Sequence, residues 1–350
     1  MMKYHTGMWA AFVVLLALGL SIAASVPAAA QEEASLSAKL AEALDHRIYG
    51  RFDEGIALAN SLLEREDLSN QDRIAVFEVL SIIYYSKGEE YYSKSYDYLK
   101  QISGIGPCVI KLPHDIWPKG LRREWYSLVS AQDALTCPDT TDTDIKTIAV
   151  MPFDNNSIGK YQEELGALGA GLASFFQYDF GKISSLTIVE RDKIDYILEE
   201  QKLSAGGKVD QATAIKAGRI LGAQLMVFGS FTQLDDKQTR LVVRAVNVET
   251  SEIIASVEDQ GKPDYFALEK SLVEKLCNDL NIKLSNEDKQ LIDLGGTESL
   301  DATTLYSKGL EYEDQYDYKN AYELFKQAYD MDQKFAEAKR KMDIYRPLAG

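Results

Sequence analysis

Residues of the kinds and spacings from which chemistry is built occur at a few places in this chain. Gly166-Ala167-Leu168-Gly169-Ala170-Gly171 is a glycine cluster that follows an apolar strand and enters a helix. Phosphate-binding loops use glycine in such places because backbone N–H groups must approach the ligand closely. Here the order reverses the dinucleotide fingerprint, and a long gap separates the cluster from the strand end at Phe153, so close packing of a helix on a sheet accounts for it better. Asp139-Thr140-Thr141-Asp142-Thr143-Asp144 alternates acids as a calcium loop does, but it lacks the glycine and the terminal glutamate of that loop and reads as a solvated linker. The acid pairs Glu199-Glu200 and Glu313-Asp314 lie in helical patterns and read as solvated faces. Beyond the first thirty residues only His46 and His114 remain, too few for a multi-histidine metal site or a Ser/His/Asp set. No catalytic, cofactor-binding or metal-ligating residue is therefore assigned, no cofactor is expected, and a non-enzymatic protein is expected.

Three cysteines are present. Cys108 and Cys137 bracket a proline-marked stretch, and in an oxidising compartment their pairing in a disulfide is expected. Cys277 falls in the helical stripe Leu268, Leu272, Val273, Leu276, Leu280, where a buried thiol acts as a small hydrophobe. The compartment is read from the N-terminus. Lys3, the apolar run Ala10 to Leu20 and Val26-Pro27-Ala28-Ala29-Ala30 form a signal peptide, residues 1–30, with cleavage expected after Ala30. An uncleaved anchor is the alternative, since the apolar run is nearly long enough to span a bilayer; the proline and alanines favour removal. The expected location is periplasmic, with any contact to the outer membrane peripheral and no span in the mature chain.

The chain has 350 residues, 46% of them hydrophobic, enough for two or three cores. Its formal charge of −16 disfavours nucleic acid and anionic lipid as partners of the surface as a whole, because an acidic surface releases no counterions from either.

The elements that position these residues centre on residues 146–284. Thr147-Ile148-Ala149-Val150-Met151-Pro152-Phe153 is a short buried strand stopped by proline. The pattern then predicts a helix over 165–180, a strand over 186–189, helices over 191–202 and 211–221, and strands over 224–231, 240–248 and 253–257. Asp235-Asp236-Lys237 and Glu249-Thr250-Ser251-Glu252 are the turns between the last three strands, and Asp264 to Leu280 is a helix laid on the sheet. The fold class is α/β: a small mixed sheet with helices, flanked by α-helical segments.

This stretch resembles the CsgG family, the curli production assembly and transport component. The resemblance rests on Ile148-Ala149-Val150-Met151-Pro152-Phe153, on Val189-Glu190-Arg191-Asp192-Lys193-Ile194 with Leu198 and Glu199, on Gly222-Ala223-Gln224-Leu225-Met226-Val227-Phe228-Gly229-Ser230, and on Val246-Asn247-Val248-Glu249-Thr250-Ser251-Glu252-Ile253-Ile254. The N-terminal domain of TolB is similar in outline. The resemblance implies no enzyme chemistry; it implies a domain that assembles, and hence a homo-oligomer as an open expectation. The family's pattern is a lipoprotein with two long hairpins that build a transmembrane barrel, and this chain departs from both. No cysteine stands directly after the apolar run as lipid attachment requires; the first is Cys108. Only nine residues separate Phe231 from Leu241 and eight separate Val257 from Phe266. A membrane strand needs about nine to eleven residues by itself, so neither connection can cross a bilayer.

The flanks are helical. Leu36, Leu40, Leu44 and Ile48 share a face; Tyr49 to Ala57 resembles the turn and second helix of a tetratricopeptide repeat; Ser69 to Asp72 has the form of a capping box. Tyr84, Tyr85, Tyr91, Tyr92, Tyr96 and Tyr98 should mostly pack between helices, with one or two exposed rings free to anchor a partner. At the other end Leu305, Gly309, Tyr312, Ala321, Phe325 and Ala328 fall at the spacings of a tetratricopeptide unit, with Gln333 where that repeat usually has proline. The repeat's groove positions, Thr303, Tyr306, Leu310 and Glu313, are the expected partner-binding residues. A single repeat cannot bury its apolar face alone, so these positions either receive a partner or dock internally.

The expected organisation is a signal peptide (1–30), a helical tetratricopeptide-like domain (31–138), a linker (139–145), a CsgG-like domain (146–284), a linker helix (285–300) and a C-terminal repeat (301–350). The expected function is a periplasmic scaffold or adaptor that recruits protein partners through helical repeats, with a role in export or surface-fibre assembly. The alternative is a curli-type transport component within an outer-membrane secretion complex.

Overall fold

The computed structural model describes residues 28–110, 116–136, 146–200, 210–293 and 296–350. The chain opens with helices α1 (Ala28–Ile48), α2 (Phe52–Leu63), α3 (Asn70–Lys87), α4 (Tyr92–Ile105) and α5 (Lys119–Ser130). The central part runs β1 (Lys146–Val150), β2 (Asp154–Asn155), α6 (Lys160–Glu164), α7 (Leu168–Lys182), β3 (Leu186–Val189), α8 (Arg191–Glu200), α9 (Gln211–Ile220), β4 (Leu225–Asp235), β5 (Gln238–Asn247), β6 (Ile253–Gly261) and α10 (Tyr265–Asp279). After α11 (Asn286–Ile292) come α12 (Leu300–Asp314), α13 (Tyr318–Met331) and α14 (Ala336–Tyr345). Helix α1 starts before the expected cleavage point, so Gln31 lies within it.

The sheet order is β3-β1-β4-β5-β6, with β2 also against β4. The pairs β1–β3, β1–β4 and β2–β4 are parallel, and β4–β5–β6 is an antiparallel meander. Alternation along each strand divides the side chains between two covered faces. Ile148, Val150, Leu225, Val227, Leu241 and Val243 point toward Leu172, Phe176 and Phe180 of α7 and Leu272, Leu276 and Cys277 of α10. Ala149, Met151, Met226, Val246 and Val248 take the other face with Ile194 and Ile197 of α8 and Ala214 and Ile215 of α9. That second core continues without a break into Trp117, Trp125, Tyr126, Phe77 and Leu99, so the N-terminal helices share a core with the sheet.

The two expected connections are as short as the sequence implies. Strand β4 runs on to Asp235 and β5 begins at Gln238, leaving Asp236-Lys237 as the turn. Strand β6 ends at Gly261 and α10 starts at Tyr265. Among the described residues no helix is long and apolar enough to cross a membrane. The expected cap at Ser69 forms, and a second stands at Ser285: the hydroxyl of Ser69 accepts from Asp72 N, that of Ser285 from Asp288 N, and each aspartate accepts in return.

The glycine cluster is a packing device. A Cβ at Gly169 would lie 2.1 Å from the carbonyl oxygen of Phe153, and one at Gly171 would lie 2.0 Å from Ser307 Oγ. Small residues here let α7 approach the first strand on one side and α12 on the other. Cys108 is disulfide-bonded, its expected partner Cys137 lies outside the described residues, and Cys277 is a buried thiol in α10. The acidic linker 139–145 also lies outside them.

Candidate functional site at a three-way junction

Thr303, Tyr306, Leu310 and Glu313 sit four or three residues apart on α12 and therefore form one stripe. All four are buried, Tyr306 completely and Glu313 to 1% exposure. The ring of Tyr306 stacks on Phe175 of α7 at 5.8 Å and packs against Phe325 and Phe335; its hydroxyl lies 2.9 Å from Ser174 Oγ. The groove expected to receive a partner is occupied by the chain itself. The reason is the one that makes a lone repeat unstable: with no neighbouring repeat, its apolar stripe must be covered, and α7 covers it.

The reading of Glu313-Asp314 as a solvated face is also corrected. Glu313 accepts from Lys341 Nζ at 2.6 and 2.7 Å and from the Tyr345 hydroxyl at 2.5 Å, and Arg122 Nη2 lies 3.4 Å away. Next to it, Asp192 pairs with Arg122 at 2.5 Å, and Arg191 pairs with Asp314. Lys119 Nζ stands among three carboxylates, 2.7 Å from Asp314, 3.4 Å from Asp192 and 3.6 Å from Asp195. Those carboxylates come within 4.8 Å of one another, a spacing that a metal ion could bridge, but the ammonium of Lys119 already supplies the positive charge they require. Glu199-Glu200, by contrast, is exposed as expected.

Four cations, Lys119, Arg122, Arg191 and Lys341, thus face four carboxylates, Asp192, Asp195, Glu313 and Asp314. They come from α5, α8, α12 and α14, so the N-terminal, central and C-terminal parts of the chain all contribute. Hydrogen bonds around the cluster tie the flanks directly to each other: Lys119 N donates to the Tyr345 hydroxyl, Gly120 N to the Tyr318 hydroxyl at 3.0 Å, and Arg47 Nη2 to Ile344 O at 2.7 Å. Of the six clustered tyrosines, Tyr85 is buried and the rest are half-buried, stacked in pairs such as Tyr85–Tyr92 at 4.5 Å. The exposed rings are elsewhere, at Tyr49, Tyr312 and Tyr316.

Burial opposes the charge on Asp192, but Arg122, Lys119 and Arg191 outweigh it and hold the carboxyl well below its ordinary range. Glu313 is likewise buried, yet Lys341 and Arg122 lower it. Asp195 goes the other way, raised by burial against the pull of Arg191 and Lys119. Groups with depressed folded values stabilise the fold above the ordinary carboxylate value and lose that contribution as pH falls through their folded values. Asp195 contributes in the opposite sense, lost as pH rises through its raised value. Two opposing one, the urea midpoint should be flat near neutrality and fall as pH drops below about 4. In Glu313→Gln, whose side chain does not titrate, the acid slope should be shallower.

A mixed sheet covered on both faces, with helical segments locked to each side through a buried charge cluster, defines an α/β domain whose connections after β4 and β6 are short. Residues 139–242 match the family described as "Curli production assembly/transport component CsgG", and the chain carries a CsgG-family domain. That family is one of cell-envelope components. Among solved structures, the chain is similar to TolB from Acinetobacter baumannii, at 13% identity over 43% of this chain and 31% of that one, with a TM-score of 0.28. It is also similar to the lipoprotein GNA1162 from Neisseria meningitidis, at 14% identity over 40% of this chain and 99% of that one, with a TM-score of 0.27. No curated protein gives a significant match.

Proposed function

We propose that this chain is a non-enzymatic scaffold or adaptor of the cell envelope, exported to the periplasm by cleavage after Ala30. It would act in export or surface-fibre assembly by holding protein partners against a CsgG-family domain. The observation that carries the reading is the pair of closed connections, Asp236-Lys237 after β4 and Lys262 to Asp264 after β6, in a domain whose family is named for transport. A domain with these turns keeps the family's soluble sheet and gives up the barrel strands. The internal docking of α12 onto α7 moves partner recruitment from the repeat groove to outer surfaces, where Tyr49, Tyr312 and Tyr316 expose their rings.

Fractionation of cells producing the protein tests this reading. Processed protein should appear in the periplasmic extract or be released from membranes by alkaline carbonate. Carbonate-resistant protein would instead favour a transport component embedded in an outer-membrane secretion complex.

A further inference from the structure

Glu269 of α10 is fully buried, and neither of its carboxyl oxygens meets an N–H or O–H donor among the described residues. Facing it from α7 is Asp179, also buried, which already holds two ammonium groups, Lys182 at 2.9 Å and Lys270. Lys270 Nζ is 3.9 Å from Glu269, beyond hydrogen-bond length, so Asp179 takes the donors that the two helices supply. An ionised Glu269 would be a desolvated anion beside a second anion, a state that buried carboxyl groups avoid by keeping a proton. Protonated, Glu269 gains an O–H donor, and Asp179 is the acceptor in front of it.

Burial and Asp179 push the Glu269 carboxyl well above the ordinary carboxylate range, against the pull of Lys270 and Lys182. The other charged groups that neighbouring elements bring to α7 and α10 are engaged. Arg340 of α14 lies over the ring of Tyr178, Glu337 accepts from Gly296 N, Asp288 of α11 accepts from Ser184 N, and Asp259 of β6 holds Ser271 and Lys275.

The pair lies one helical turn from the contact that docks the C-terminal helices. Phe175, a turn before Asp179 on α7, stacks on Tyr306 of α12; Phe266, a turn before Glu269 on α10, meets Phe175 edge-on at 6.3 Å. The Phe266 ring also fills the space that a Cβ at Gly296 would take, at the entry to α12. A shift of α7 against α10 at this point therefore moves the seat of α12.

We propose that Glu269 and Asp179 share one proton, which latches α7 to α10 and so holds the C-terminal helices in place, and that loss of this proton to water as pH rises loosens them. The proposal does not depend on the envelope reading. A carboxyl raised in the folded state contributes stability that is fully present below its ordinary value and is lost as pH rises through the folded one. The flat urea midpoint expected near neutrality from Asp192, Glu313 and Asp195 is then the profile of Glu269→Gln, and in the wild type Glu269 adds a decline with rising pH.

The test is limited proteolysis of the purified protein between α11 and α12 from about pH 5 to about pH 9, each rate divided by that of an unfolded substrate in the same buffer. The wild-type rate should rise with pH, by up to about tenfold per pH unit while the closed pair keeps its proton and the opened one does not. Glu269→Gln does not titrate, and its amide can donate to Asp179, so its rate should stay level. Asp179→Asn supplies Glu269 with a donor and removes the second anion, and should also flatten the profile. In infrared spectra of the wild type, a carbonyl band of a protonated carboxyl group should be present at neutral pH, fade over the range in which cleavage rises, and be missing from Glu269→Gln. That titration needs no variant, so it decides the matter even where a substitution impairs folding. A level wild-type rate, a slope retained by Glu269→Gln, or the absence of the band at neutral pH would overturn the proposal.

Discussion

Glu313→Ala should be among the most destabilising single changes in this protein, lowering stability by about 3–5 kcal/mol, because it strands buried positive charge. Lys341 Nζ loses both of its short contacts, Arg122 loses one of its carboxylates while keeping Asp192, and the Tyr345 hydroxyl loses its acceptor. Most of the loss comes from the cations left behind. Glu313→Ala/Lys341→Met, which removes both partners of the closest pair, should therefore recover a large part of it. Urea unfolding followed by the buried Trp117 and Trp125 measures both variants. Equal midpoints for the single and double variants would mean that packing around α12, and not charge pairing, carries the effect. The change should also loosen the joint. The cluster draws on α5, α8, α12 and α14, so its loss should let the C-terminal helices unfold ahead of the sheet, seen as protease cleavage after α11 at urea concentrations that leave the wild type intact.

The central domain was legible because its signals are local. Strand β3 runs from Leu186 to Val189 as the apolar run predicts, and outside that domain the equally local capping box at Ser69 also forms. What was missed there is too short or too polar to carry a period. The two residues of β2 and the five of α6 offer no repeat, and β4 and β5 extend past Phe231 and before Arg240 through polar residues held by the hairpin itself.

The junction was illegible for a different reason. Its members are spread from Lys119 to Tyr345, and each alone looks like one charge on a helix. A usable signal did exist: Glu313 shares its stripe with Leu310 and Tyr306, Arg122 lies beside Trp125 and Val129, and Lys341 lies beside Ala338 and Tyr345. A charge on an apolar stripe predicts a buried partner of opposite sign, and three such stripes in one chain predict that they meet. The same step would have decided between the two occupants left open for the groove, a partner or the chain itself, since the acid marking it as a binding position is one that closes it.

Tyr306→Ala tests that closure directly and should cost about 3–5 kcal/mol, the range for deleting a fully buried aromatic side chain. The ring contacts Phe175, Phe325 and Phe335, so its removal opens a cavity between α7 and the C-terminal helices that neither side can collapse to fill. Tyr306→Phe keeps the ring and loses only the contact to Ser174 Oγ, which should cost about 0.5–1.5 kcal/mol. Phe175→Ala attacks the same contact from the sheet side, and its effect should not add to that of Tyr306→Ala, because both empty one cavity. If α12 instead held this stripe for an outside partner, Tyr306→Ala would remove partner binding and leave the urea midpoint near that of the wild type. A large fall in midpoint, shared non-additively with Phe175, assigns the stripe to the protein's own core and leaves its outer surfaces to bind partners.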